Sequence, residues 1–383
     1  MTSKINPDYV SERIEHIECF AAHLPLRKPL RMSSHTIAYG PVLFVRVISA
    51  TGIEGWGEAG VDPTMNGETL RGMCAIIEEN LTQRIVGLDA MDRVAIAKSF
   101  KSLYANGSAK TALDMALVDL VGHSRGIRAV DVLGGAARSS AMVLRLIGGS
   151  LDSEIDAEEA RKLRDEGFGA FKLKVGVMAI EKEAETLRLI REQLGTGVQL
   201  SADANMAWDV DTARRFARLI SDFSITYIEQ PVVAGDVARM RRVAESTHIA
   251  ICADESIHGI GDVLSLNGAG AIGGVSLKTV KLGGLTNLCQ TAVIVDALGL
   301  SMNLAMLVES SVASAAMAHA ACSIPQINWG VSLGSLLITD QPARSDISVV
   351  DGQVLLGNKP GLGIEIAVSE LARFSPSSKT ISI

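Results

Sequence analysis

Between residues 143 and 329 the chain alternates short apolar runs with amphipathic ones eight times, and few folds accept that pattern. The apolar runs 143–147, 170–175, 198–202, 225–228, 249–253, 274–277, 301–305 and 326–329 have strand length. The segments 157–167, 180–193, 211–220, 236–245 and 312–321 between or after them carry helical periodicity. Strand and helix in strict alternation imply a parallel sheet with helices outside it. Eight such units in this length suit a closed barrel better than an open sheet.

The ends of these runs carry the informative side chains. Lys172 and Lys174 close the second run, Asp203 the third, Glu229 the fourth, Asp254 the fifth and Lys278 the sixth. From Lys174 to Lys278 the successive spacings are 29, 26, 25 and 24 residues, about one strand–helix unit each. The five positions therefore fall at one height, on neighbouring strands, at the C-terminal mouth where barrel sites lie. Residues i and i+2 of a strand point the same way, so Lys172 and Lys174 both face inward. Three carboxylates there make an oxygen-rich site suited to magnesium, with manganese as a substitute. Lys278 lies four strands round from Lys174, on the far side of such a cation. This arrangement suits proton removal next to a carboxylate, with the cation neutralising the charge that develops and a lysine of lowered pKa taking the proton. A single acid at a strand end is ordinarily a loop or cap residue. Two inward lysines on one barrel strand are harder to place blandly, because an unpaired buried lysine is costly.

The first third reads differently. Runs 14–24, 42–49 and 55–59, with a turn at Thr51-Gly52, predict a strand meander, and 108–122 places Ala109, Leu113, Ala116, Leu117 and Leu120 on one helical face. A turn signal at Val350-Asp351-Gly352-Gln353 near the other end predicts a return to this first domain. The expected boundaries are 1–135, 136–340 and 341–383. A net charge of −7 argues against nucleic acid as a partner, and 48% apolar residues supply a large core. Five scattered cysteines, Cys19, Cys74, Cys252, Cys289 and Cys322, suggest neither disulfides nor zinc. Neither a signal peptide nor a membrane span is expected, and a cytoplasmic location is.

Taken together the motifs resemble the enolase superfamily, in particular its muconate lactonizing enzyme subgroup. They are Lys172-Leu173-Lys174, Asp203-Ala204-Asn205, Glu229-Gln230-Pro231, Asp254-Glu255-Ser256, Lys278-Thr279-Val280-Lys281-Leu282-Gly283-Gly284, Glu309-Ser310-Ser311, Asn328-Trp329-Gly330, Gly57-Glu58-Ala59 and Pro360-Gly361-Leu362-Gly363. The resemblance implies a modified (β/α)7β TIM-like barrel with an N-terminal α+β capping domain completed by the C-terminal segment. It also implies magnesium ligands at Asp203, Glu229 and Asp254, and an acid–base pair at Lys174 and Lys278. Lys172 would steady a bound carboxylate and depress Lys174; Asn205 and Glu309 would face substrate, with Glu255 behind them. Loops 27–40 and 60–68 would cap the barrel, making Met32, His35, Tyr39 and Met65 specificity candidates. A homo-oligomer built from dimers, up to an octamer, goes with the resemblance. Arg145 could face inward to a substrate carboxylate or pair with an acidic neighbour. His258 could reach the site from its loop.

The sequence departs from relatives within that superfamily. Lys174 stands where the mandelate racemase subgroup has histidine, and no Asp-x-Asp follows the eighth run as in dipeptide epimerases. Val331-Ser332-Leu333-Gly334-Ser335-Leu336 keeps the frame of the muconate cycloisomerase segment but loses its Glu, Phe and Pro. The leading expectation is cycloisomerase-type lactonisation of a small carboxylate. Racemisation or epimerisation of an N-substituted amino acid, and dehydration of a hydroxy acid, share its first step. A Schiff-base aldolase built on Lys278 is opposed by the three carboxylates, and a non-catalytic barrel by the lysine pair.

Overall fold

The computed structural model describes residues 11–31 and 36–376. Three antiparallel strands open it: β1 (Ile14–Arg31), β2 (Thr36–Ser49) and β3 (Glu54–Gly60). Both outer strands of the expected meander are present, and β1 runs seven residues further than its periodicity indicated. Gly52, at φ +83°, makes the β2–β3 turn. One face of the sheet lies on the helix Gly107–Arg125, in which Ala109, Leu113, Ala116, Leu117 and Leu120 are all fully buried. The approach is so close that a Cβ on Gly57 would sit 2.0 Å from the Ala112 carbonyl, which explains a glycine within a strand.

After β4 (Ser140–Met142) come seven parallel strands: β5 (Leu144–Ile147), β6 (Ala170–Lys174), β7 (Gln199–Asp203), β8 (Tyr227–Glu229), β9 (Ala250–Ala253), β10 (Gly274–Leu277) and β11 (Ser301–Leu304). They are hydrogen-bonded in sequence order. Three of their helices begin where an aspartate caps them. Asp152 accepts from the amides of Glu154 and Ile155, which starts the first barrel helix at Ser153, four residues before the expected start. Asp209 and Asp236 do the same for the helices at Val210 and Val237.

The expected eighth strand at 326–329 does not form. Closure falls later, at Val331, which bridges Val143 on one side and Leu304 on the other. The Leu144 amide donates to Val331 O at 2.8 Å and the Leu304 amide to Gly330 O at 3.0 Å. Gly330, at φ +81°, bends the backbone so that Trp329 turns into the barrel and stacks on Tyr227, with ring centroids 4.2 Å apart. A continuous strand through Trp329 is incompatible with that bend. The fold is thus a TIM-like barrel with an N-terminal capping domain.

At the C-terminal end, β12 (Ala343–Ser345) pairs with β15 (Ile364–Ile366), and β13 (Ser348–Val350) forms a hairpin with β14 (Gln353–Leu355). The hairpin turns at Asp351-Gly352, as expected, but β14 pairs with β4 at the entry to the barrel. Contact with the N-terminal part comes instead from Gly361 and Leu362, the latter donating its amide to Asp119 at 2.7 Å. No helix among the described residues is long and apolar enough to cross a membrane.

Candidate active site

Strand register brings the predicted side chains together. Lys174 pairs with Asp203 across β6 and β7, and Asp203 with Glu229 across β7 and β8. Asp254 directly follows β9 and Lys278 follows β10. All but Lys174 are nearly completely buried. Each acid meets an ammonium group. Lys172 Nζ lies 2.7 Å from Glu229 Oε2, Lys174 Nζ 2.6 Å from Asp203 Oδ2, and Lys278 Nζ 2.5 Å from Asp254 Oδ2. Lys174 also donates to Asn205 Oδ1 at 2.7 Å, and Asn205 Nδ2 reaches Glu255 Oε1 at 3.0 Å. Because each acid is turned to a lysine, no three His, Cys, Asp or Glu side chains among the described residues are gathered as an ion would need them. The donor set itself is hard carboxylate oxygen on adjacent strands, which fits a hard divalent cation.

The electrostatics follow from this crowding. Burial pushes Glu229 up to about 7; Lys172 opposes the shift, while Asp203 and Asp254 add to it. Burial, then Asp254 and Asp203, push Glu255 up to about 7 as well. Burial would raise Asp203 and Asp254 too, but Lys174 with Lys172, and Lys278 with Lys281, hold them below the usual carboxylate range. Burial works against the charge of Lys278, yet Asp254, Glu255 and Glu229 outweigh it and hold this lysine above its ordinary value. The resemblance puts the lowered pKa on Lys174, beside Lys172; on Lys278 an ionised acid in contact works the other way.

Two residues escaped the site prediction. Lys281 is buried, with Nζ 2.5 Å from Asp254 Oδ1. The one-turn helix Thr279–Leu282 returns it to the Lys278 side, so the Lys-x-x-Lys spacing was the available signal. Gln230 is also buried, and its Oε1 accepts from the amides of Asp254 at 3.0 Å and Ser256 at 3.1 Å. It fixes the chain that carries Asp254 and adopts φ +33° to do so.

Beside the lysines lies a cavity of about 90 Å³, lined mainly by apolar side chains, including Leu30, Ile37, Met65, Met306 and Leu333. Met65 reaches Lys278, with its sulfur 3.5 Å from Nζ. Other expected residues lie elsewhere. Tyr39 is 47% exposed and stacks on His23; Ile37 does the lining. A register break between Pro25 and Leu30 separates the two positions, Tyr39 lying opposite Pro25 and Ile37 opposite Leu30. Glu309 does not line the cavity: its carboxylate accepts from the Gly60 and Leu307 amides, at 2.8 and 3.1 Å. Met32 and His35 lie outside the described residues. Arg145 contributes to the cavity lining; its guanidinium lies over the Phe168 ring and feels the charges of Glu159 and Glu166, but it forms no ion pair with either, and its Nε has no hydrogen-bond partner among the described residues. His258 lines a separate cleft of about 360 Å³ behind Lys281, with Glu68 and Arg93.

Comparison with known proteins agrees with this geometry. Residues 15–134 match the mandelate racemase/muconate lactonizing enzyme N-terminal domain, and 156–370 match the enolase C-terminal domain-like family. Muconate cycloisomerase 1 of Pseudomonas putida is 31% identical over 94% of this chain and 98% of its own. The muconate lactonizing enzyme of Pseudomonas fluorescens, solved with muconolactone, superposes with a TM-score of 0.91 at 29% identity, covering 96% of this chain and all of that one. The N-succinyl Arg/Lys racemase of Bacillus cereus superposes at 0.89 with 28% identity, covering 95% and 98%. Enzymes of this family are metal-dependent. With both parts of the chain matched, the protein belongs to the mandelate racemase/muconate lactonizing enzyme family and is an enolase-superfamily isomerase akin to the muconate cycloisomerases.

Proposed function

We propose that this enzyme makes and quenches an enolate of a small carboxylate substrate in a muconate cycloisomerase-like lactonisation. The observation that supports it most is the placing of Lys174 and Lys278, on β6 and after β10, on either side of three buried acids. Asp203, Glu229 and Asp254 would hold magnesium, or manganese in its place. When bound there, the cation supplies positive charge against the substrate carboxylate as negative charge builds on it. Lys172, and Asn205 beside Lys174, steady the carboxylate end, and the apolar lining takes the remainder. In the forward step a substrate oxygen adds to the double bond, the displaced electron pair moves toward the carboxylate, and an ammonium proton from one lysine goes to the α-carbon. The other lysine then serves mainly as a charge.

A second reading has its own support. Lysines facing each other can remove a proton on one side and return one on the other, and racemases are among the similar proteins. Incubation of candidate carboxylates with enzyme and magnesium in D2O, followed by NMR, separates the two. Lactonisation leaves one deuterium on the product, whereas racemisation washes deuterium into the α-position of the substrate itself. Neither outcome with any carboxylate would overturn both readings. We further propose a homo-oligomer built from dimers, which light scattering tests.

A further inference from the structure

One tier below the mouth, the barrel interior is polar where branched apolar side chains ordinarily fill such a layer. Two residues before each mouth position stand Lys172, Ser201, Tyr227, Cys252, Ser276 and, on β11, Asn303. All are at most 5% exposed. Alternation along a strand points them the same way as the residues above them. They are joined in a chain. Ser276 Oγ donates to Asn303 Oδ1 at 2.7 Å, and Asn303 Nδ2 approaches Tyr227 Oη at 3.3 Å and Cys252 Sγ at 3.9 Å. The Cys252 thiol in turn lies 4.0 Å from Glu229 Oε2, the same oxygen that Lys172 holds at 2.7 Å, and 3.9 Å from the Ala253 carbonyl. Lys172 Nζ stands 5.9 Å from the centre of the Tyr227 ring.

We propose that Asn303 and Cys252 are positioning residues, which hold Glu229 from below through one carboxylate oxygen so that its other oxygen is free for the mouth. The physical case rests on where the contacts fall. Lys172 and Cys252 both address Oε2, and neither contacts Oε1. A carboxylate gripped at one oxygen keeps a defined rotamer and one unspent acceptor, which a cation ligand needs. Asn303 orients the thiol, and Ser276 orients Asn303 by engaging its carbonyl end. A purely packing role would be met more cheaply by apolar side chains, since each buried polar group costs free energy unless bonded.

This inference rests on the proposed cation site, so wild-type affinity for Mn2+ is measured first, by EPR titration without substrate. No binding by the wild type would overturn the cation reading itself. Given binding, Cys252→Ala and Asn303→Leu are expected to weaken it about 10–100-fold, the range for groups that orient metal ligands. Cys252→Ser keeps a donor and is expected to stay within about threefold of wild type. Wild-type affinity in Cys252→Ala would show the tier to be packing alone. Equal weakening in Cys252→Ala and Cys252→Ser would also overturn the proposal, because the hydroxyl should rescue. Thermal melts check that each variant is folded, and the cysteine pair decides the matter if Asn303→Leu does not fold.

Discussion

Two groups of buried carboxylates in this molecule are satisfied by different partners. Where the N-terminal domain meets the barrel, Glu58 accepts from the Ser310 amide at 2.7 Å, the Ala313 amide at 3.1 Å and the Ser310 hydroxyl, so that it caps the helix Ser311–Ser323. Glu309 accepts from Gly60, and Asp119 from Trp56 and Leu362 at 2.8 and 2.7 Å. At the mouth, Asp203, Glu229 and Asp254 meet lysine side chains instead. Backbone amides neither move away nor release a proton, so the first group serves as fixed fastening. Ammonium groups on flexible stems can exchange one partner for another and can transfer a proton. Burial is common to both groups; the kind of donor separates structure from chemistry.

The sharpest test of this division is removal of the metal. EDTA should abolish turnover and added magnesium should restore it, while the amide-held acids leave the fold intact by circular dichroism. Full activity in chelated buffer would sink the proposed role of the mouth acids.

Next in size are the lysines. Lys174→Ala and Lys278→Ala should each lose roughly 10²–10⁴ in turnover, the usual worth of a positioned acid or base. Both should still bind Mn2+, because neither is proposed as a ligand. Under racemisation each variant should exchange the α-proton of a single enantiomer with solvent. Near-normal turnover in both would reverse the reading of the mouth.

The fastening acids should behave in the opposite manner. Glu58→Ala removes the acceptor of two amides and a hydroxyl at a helix N-terminus. The hydroxyl can turn elsewhere; at roughly 1–3 kcal/mol for each of the two orphaned amides, stability should fall by about 2–6 kcal/mol in urea unfolding. Turnover per folded molecule should change little. A variant as stable as wild type but inactive would place Glu58 with the mouth residues.

The last effect is in pH. Burial, then Glu309, pushes Glu58 up to about 8 from an ordinary 4.5. The folded state then holds a proton that the unfolded chain has released. The contribution of Glu58 is therefore complete below pH 4.5 and lost as pH rises toward 8. Urea midpoints between pH 5 and 8 should decline more in wild type than in Glu58→Gln, which does not ionise. Parallel profiles would remove Glu58 from that dependence.

Local rules made much of this molecule legible in the sequence. Period-two alternation turned Lys172 and Lys174 inward together, and unit-length spacing put Asp203, Glu229, Asp254 and Lys278 at one height. Those inferences need only strand geometry and the near-constant length of a strand–helix unit. The same alternation, carried two residues back along each strand, would have exposed the polar tier, yet nothing local says that Cys252 and Asn303 meet. Tertiary packing alone decided the rest. Glu309 went to the Gly60 amide because the N-terminal sheet docks against the end of β11, a contact between residues far apart in the chain. Tyr39 left the cavity because β1 carries a bulge opposite it, and Val331 took the closing position because Trp329 fills the barrel. Above all, which lysine neutralises which acid depends on distances between neighbouring strands around the mouth. Spacing along the chain can place a charge at the mouth, but only the closed sheet chooses its partner.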